Sequence, residues 1–71
     1  MYNSLLNQNV SMIVSTKANA FYLYEGILCD ENEKTLKLSN AVIKDLTGIF
    51  RIDNLETVIV NKEYIVSCNN K

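Results

Sequence analysis

The acidic residues that could take part in acid–base chemistry in this chain are concentrated in one short polar segment. Asp30, Glu31 and Glu33 lie there beside Asn32 and Lys34. Two carboxylates can divide the roles of acid and base when their surroundings separate their pKa values. These three share one polar segment between apolar stretches, which is typical of the solvated tip of a β-hairpin. Since the chain also lacks histidine, the sequence predicts a protein that is not an enzyme.

Cys29 and Cys68 are the only cysteines of the chain, and both lie in apolar stretches far apart in the sequence. Two thiols without a histidine do not complete an ordinary zinc site. No signal peptide or membrane-spanning stretch is visible in the sequence. We therefore expect reduced cysteines in or near the core of a cytoplasmic protein that binds no metal, no cofactor and no membrane.

Aromatic and basic residues offer a second kind of chemistry, the binding of single-stranded RNA. Such binding requires aromatic rings on which bases stack and dispersed positive charge for the phosphates. The residues that we assign to it are Tyr22, Tyr24, Lys37, Arg51 and Lys62. Alternatively, the tyrosines pack in a core or subunit interface and the basic residues only keep the surface soluble. The balance of 7 Lys+Arg against 8 Asp+Glu disfavours strong nonspecific attraction to nucleic acid.

Length and composition define the molecule that must position these residues. The chain has 71 residues, of which 48% are hydrophobic and 21% are charged. These values are typical of one globular domain over residues 1–71. A domain of this size has a thin core, and association with other chains is a common source of additional stability.

Alternating apolar residues predict a chain made of short strands. Strands are predicted over residues 10–16, 20–29, 35–43, 49–52, 55–60 and 64–68, with a short helix over residues 2–8. Gly26 lies within the second strand, where a residue without Cβ permits a sharp bend. The apolar alternation changes phase at Asn40 and Ala41, which indicates a β-bulge. Asp53 and Asn54 are predicted to form a turn between two strands.

These features predict an all-β fold, a small bent antiparallel barrel of five to six strands with a short N-terminal helix. The last predicted strand contains no charged residue, so an exposed edge there would favour pairing with another strand. We therefore predict a homo-oligomer whose interface includes Tyr64, Ile65 and Val66. The same edge could instead accept a peptide motif of a partner protein.

Two segments resemble the motifs of the Sm and LSm family. The first runs from Tyr24 to Ala41, with a glycine inside one strand, an acidic turn and the pattern Leu-x-Leu-x-Asn-Ala. The second, from Phe50 to Val58, is similar to the divergent Sm-like domains of messenger-RNA decapping scaffold proteins. A different register would place the second motif at residues 58–62, which is similar to the bacterial Hfq arrangement without its histidine.

The resemblance implies a five-stranded SH3-like barrel with an N-terminal helix and no catalytic activity. Members of the family form rings that bind single-stranded RNA or act as adaptors for short peptide motifs. By analogy, turns at Asn32 and at Asp53-Asn54 would line the RNA pocket, which adds Asn32 and Asn54 to the candidate RNA contacts. The Arg-Gly pair typical of the family is replaced by Asp53-Asn54, and this replacement favours the adaptor branch.

Two functions therefore remain open from the sequence. The first is a non-catalytic Sm-like module, oligomeric, that contacts single-stranded RNA in RNA regulation or processing. The second is a protein–protein adaptor or oligomerisation module that binds no RNA.

Overall fold

The computed structural model describes residues 2–71, which form five strands in one antiparallel sheet. The strands are β1 (Asn9–Ser15), β2 (Phe21–Glu31), β3 (Thr35–Lys44), β4 (Arg51–Asn61) and β5 (Ile65–Asn70). Their order across the sheet is β4-β3-β2-β1-β5. The sheet is bent into a small barrel that stays open, because β4 and β5 occupy its two edges and do not pair with each other. The predicted all-β class is confirmed, with five strands.

Two short 3-10 turns complete the described part of the chain. One covers Tyr2–Leu5 and the other covers Lys62–Tyr64, between β4 and β5. The helix predicted over residues 2–8 is therefore shorter than expected. Asn7 adopts a positive φ of 65° and donates its backbone N–H to the carbonyl of Leu28, so the chain leaves the turn there and joins the sheet. Within residues 2–71 no helix is long and apolar enough to span a membrane.

The turn predicted at Asp53-Asn54 is wrong, and the two predicted strands on either side of it are one strand. Asp53 lies opposite Ile43 and Asn54 lies opposite Val42 in the ladder between β3 and β4. The Asp53 carboxylate does accept the Asn54 N–H at 2.8 Å, a local bond that is typical of turns. Continuous pairing with β3 overrides that local preference, since strand formation depends mainly on tertiary context.

Gly26 allows β2 and β3 to approach closely, as the sequence predicted for a bend. A Cβ at this position would lie 2.9 Å from the carbonyl oxygen of Ser39 and 3.2 Å from Cα of Ala41. The register between the two strands shifts between Glu25 and Ile27. The predicted phase change in β3 is also confirmed, because exposed Asn40 has a φ of 51° and is followed by buried Ala41.

The core is small and lies inside the bend. Its buried members are Val10, Met12, Val14, Leu28, Leu36, Leu38, Ala41 and Val60. Tyr2, Leu5 and Leu6 of the N-terminal segment pack against them. Since β5 contributes only half-buried residues to this core, it is the least embedded strand of the sheet.

Candidate functional site

One end of the barrel is polar and joins two connections that are distant in sequence. We call it the polar end, and it consists of residues 31–34 and 61–63. The backbone N–H of Lys62 donates to the carbonyl of Lys34 at 2.8 Å. A shallow open pocket of about 400 Å³ lies between them, lined by Glu33, Lys34, Asn61, Lys62 and Glu63. The structure thus brings the β2–β3 turn to the end of β4.

Asn32 shapes the β2–β3 turn. Its side-chain oxygen accepts hydrogen bonds from the backbone N–H groups of Lys34 and Thr35, at 2.9 and 2.8 Å, and from the Thr35 hydroxyl at 3.0 Å. Asn61 acts similarly at the second connection, where its side-chain oxygen accepts the Glu63 N–H at 3.2 Å. These carbonyl oxygens are engaged within the fold, which fixes both turns.

Lys62 belongs to the polar end, and its charge is compensated. Its ammonium group lies 2.7 Å from a carboxylate oxygen of Glu31 and 5.4 Å from the centre of the Tyr2 ring. Glu33 and Glu63 add further negative charge at the same pocket, against Lys34. The polar end is therefore not electropositive, which disfavours the approach of a phosphate.

The other predicted RNA contacts are spread along the barrel. Tyr22 and Tyr24 are half-buried on β2, opposite Val14 and Met12. Tyr24 packs against the core, and burial, with a smaller effect of Tyr22, raises the pKa of its hydroxyl. Lys37 is exposed near the start of β3, opposite Ile59.

Arg51 and Asn54 lie at the end of β4 that is remote from the polar end. Arg51 is opposite Lys44, whereas Asn61 is opposite Thr35. At about 3.3 Å per residue, roughly 20 Å of strand separate Asn54 from Asn61. Of the predicted RNA contacts, Asn32 and Lys62 lie together at the polar end, and Asn54 is too far along β4 to share a pocket with Asn32 within one copy.

The second end of the barrel, here called the hairpin end, consists of residues 45–52, which are the connection between β3 and β4 and the first two residues of β4. Four large apolar side chains are exposed in this short segment, and Ile49 and Phe50 are 75% and 70% exposed. The other two are Leu46 and Ile52. This surface was not predicted from the sequence, because residues 49–52 were interpreted as a strand. Asp45, Thr47 and Gly48 lie in the connection predicted before that strand, and they were the available sign that a turn could continue through Phe50.

Hydrogen bonds of its own hold the hairpin end in place. The Asp45 carboxylate accepts from the Thr47 hydroxyl at 2.7 Å and from the Phe50 N–H at 3.3 Å. The Asp45 N–H donates to the Phe50 carbonyl at 3.0 Å, and Gly48, with a φ of 78°, donates to Asp45. The Thr47 hydroxyl is the main cause of a lowered Asp45 pKa, with backbone N–H groups adding to it. The exposed apolar residues are thus carried by an ordered turn.

A cluster of charges that only the strand register reveals lies on β2 and β3. Glu25 accepts from Lys44 at 2.7 Å and from Lys71 at 3.4 Å, and its side chain is only 13% exposed. The hydrogen bond from Lys44 is the main cause of the lowered pKa of Glu25, and Lys71 adds to it. These residues are far apart in sequence, so their association could not be inferred from spacing. The geometry of the cluster indicates a structural role, in which Glu25 joins parts of the chain that are distant in sequence.

The two cysteines differ in their surroundings. Cys68 packs against the core, and burial raises the pKa of its thiol. Cys29, expected in or near the core, is exposed, and its thiol donates to the Lys37 carbonyl at 3.4 Å. The reason is strand alternation, because Cys29 follows the fully buried Leu28.

The predicted interface residues of the last strand divide into two groups. Tyr64 belongs to the 3-10 turn rather than to β5, and both Tyr64 and Ile65 pack against the core. Val66 is 58% exposed and lies at a shift in the register between β1 and β5. Val66 is thus the member of the set that is available to another molecule.

Neither protein-family models nor curated protein sequences give a match to this chain. The function must therefore be inferred from the geometry of the molecule.

Proposed function

We propose that this chain is a non-catalytic protein–protein interaction module that assembles with copies of itself through its edge strands. The observation that carries the proposal is the position of β4 and β5 at opposite edges of one open sheet. An edge strand has a row of N–H and C=O groups without partners, which can pair with a strand of another chain.

The two edges of the sheet are different strands, and this determines how copies would join. When β4 of one copy pairs with β5 of the next, the contact is head-to-tail, so after each addition the assembly still has one free β4 at one end and one free β5 at the other. Repetition of such a contact gives a closed ring or an open chain. The pairing of β5 with a second β5 would instead end at a dimer.

The side chains at both edges suit pairing. The residues of β5, Ile65–Asn70, include no charged side chain, so the usual protection of edge strands by charge is missing. Val66 on β5 and Ile59 on β4 are both largely exposed, at 58% and 66%. Covering these side chains would add apolar burial to the main-chain hydrogen bonds.

We also propose that the chain is a divergent relative of the Sm and LSm family. Three features support this kinship: the close approach at Gly26, the bulge at Asn40, and the 3-10 turn between β4 and β5. Since β4 continues to Asn61, the alternative register at residues 58–62 fits the strand better than the register that begins at Phe50.

The assembly is tested by light scattering and sedimentation over a wide range of protein concentration. We expect the native chain to associate, and Val66→Lys to shift it to monomers by placing a charge on the free edge. Phe21→Lys is the matched control, because Phe21 is also exposed but belongs to the central strand β2. A native chain that stays monomeric at high concentration would contradict the proposal.

Single-stranded RNA is the second candidate ligand, and the pocket of the polar end is the observation that favours it. An assembly would repeat this pocket once per copy and so multiply weak contacts. Of the candidate contacts from the sequence, Asn32 and Lys62 belong to the polar end, whereas Tyr22, Tyr24, Lys37, Arg51 and Asn54 lie on strands outside it. The pairing of Lys62 with Glu31 makes this candidate weaker than the first.

RNA binding is tested by titrating labelled U-rich and A-rich oligonucleotides at low salt. Binding that weakens as salt rises, and that Lys62→Ala or Tyr24→Ala reduces, would support an RNA site. The absence of binding at about 50 μM protein, in the range of weak nonspecific association, would exclude it.

A further inference from the structure

We propose that the hairpin end and the adjoining first half of β4 form a docking site for an extended peptide of a partner protein, one that alternates apolar and basic residues. This site is separate from the self-association proposed above. Its occupant follows from three features of the molecule: an edge that self-assembly leaves open, an ordered apolar surface beside that edge, and the local charge.

The first feature is the unequal length of the edge strands. β4 has eleven residues and β5 has six. Since strands pair residue by residue, the β5 of another copy can cover at most six positions of β4. At least five positions of β4 therefore stay uncovered even in an assembly, and they fall in its first half when β5 covers the half that contains Ile59. At alternate positions of such a stretch the N–H and C=O groups point away from β3, and only another extended chain satisfies these groups in a regular way.

The second feature is the apolar surface that continues from this edge. The exposed side chains of the hairpin end are Leu46, Ile49, Phe50 and Ile52, the last of which lies within β4. The Asp45 and Thr47 hydrogen bonds fix the turn that carries them. A partner would therefore meet an ordered surface and would not have to order it on binding, which favours affinity. The strand edge together with this surface suits a peptide that inserts alternate apolar side chains.

The third feature is the sign of the charge. Asp45, Asp53 and Glu56 lie along the same stretch. None of these three carboxylates forms an ion pair within residues 2–71, where the acids that do are Glu25 and Glu31. Arg51 is the basic residue there without such a pair, since Lys44 is bound to Glu25. The local excess of carboxylates favours Lys or Arg at the remaining positions of the peptide.

The test uses the full chain and a labelled peptide of about seven residues in which valine and lysine alternate, a length typical of one added strand. We expect saturable binding, with amide shifts in NMR spectra confined to residues 45–56. The double variant Phe50→Ser and Ile52→Ser should weaken binding about tenfold or more. Glu33→Ser is the control, because Glu33 is also exposed but lies at the polar end, outside both this site and the proposed contact between copies, and it should leave the affinity unchanged.

Two further peptides separate strand addition from simple apolar adhesion. A peptide with alternate backbone N–H groups methylated cannot complete the ladder, and a peptide with glutamate in place of lysine has the wrong charge. Both should bind about tenfold more weakly. Equal binding of the methylated peptide, unchanged binding by the Phe50→Ser and Ile52→Ser variant, or no saturable binding at all would overturn the proposal.

Light scattering of the same double variant distinguishes this site from the proposed self-association. We expect the double variant to assemble as the native chain does, because the site is separate from the copy–copy contact. If the double variant instead became monomeric, the hairpin end would be part of the contact between copies, and the peptide proposal would fail while self-association stood. Thermal unfolding of both variants, expected to match the native chain, shows that the fold is intact.

Discussion

The polar end and the hairpin end of the barrel differ in how far the fold uses their functional groups. At the polar end, the Asn32 oxygen accepts three hydrogen bonds, and Lys62 is paired with Glu31. At the hairpin end, polar groups hold the turn, while Ile49 and Phe50 extend into solvent. Two of the RNA contacts predicted from the sequence, Asn32 and Lys62, lie at the polar end. The large exposed apolar side chains lie at the other end, which is why we propose the peptide site there.

The largest expected effect is a difference between the two ends in how much a side chain there contributes to the stability of the fold. Leu36 is fully buried in β3 beside the polar end and lies opposite Val60, so Leu36→Ala leaves a cavity. It should lower the free energy of unfolding by about 3 kcal/mol. Ile49→Ala at the hairpin end should change it by less than about 0.5 kcal/mol. Urea denaturation measures both, and equal losses would show that the hairpin end is a structural element after all.

The second effect compares the two glycines. Gly26→Ala brings a Cβ to 2.9 Å from a backbone carbonyl, so the strands must separate, and we expect a loss of about 2 kcal/mol. Gly48→Ala meets only Leu23, at 3.6 Å, and its cost comes from the positive φ, at about 1 kcal/mol. Thermal unfolding shows which of the two variants is less stable. A larger loss for Gly48→Ala would indicate that the hairpin end controls the bend.

A third and smaller effect concerns the turn of the polar end. Asn32→Ala removes the acceptor of three hydrogen bonds in an exposed turn, and we expect a loss of about 1 kcal/mol. Asn32→Asp keeps an acceptor oxygen and should recover most of that stability. Chemical denaturation compares the two. If Asn32→Ala had no effect on stability but abolished RNA binding, Asn32 would be a ligand contact and the polar end a binding site.

The smallest effect depends on pH. The folded pKa of Glu25 is below its ordinary value, so the unfolded chain binds this proton more readily. The stability that results is fully present above about pH 4.5 and is lost as the pH falls through the folded pKa. Glu25→Gln should therefore reduce the difference in melting temperature between about pH 6 and about pH 3. Glu33→Gln is the control, since Glu33 has no ion pair within residues 2–71, and a larger change for the control would contradict the role of Glu25.

Much of the fold followed from side-chain alternation, because alternation reports which face of a strand is buried. The phase change at Asn40-Ala41 was predicted from this alternation and the bend at Gly26 from a glycine inside a strand, and both are confirmed. The Asp53-Asn54 turn was wrong, because local turn chemistry cannot show that β3 continues beside the strand. Two features depend on strand register, which a single sequence does not specify. They are the exposure of the apolar residues at the hairpin end and the ion pairs of Glu25 with Lys44 and Lys71.

The pairing of β5 with β1 has a consequence for how the chain folds. Strands β1 to β4 are joined as successive hairpins, whereas Val10 pairs with Asn70, across most of the chain. Closing so long a loop costs entropy before any contact repays it. We therefore expect β5 to dock last and to detach first, with its amides exchanging hydrogen faster than those of β2 and β3. A strand that detaches easily can also be exchanged between neighbouring molecules. Concentrated solutions of this protein should therefore contain domain-swapped oligomers, in which β5 of one copy pairs with β1 of another.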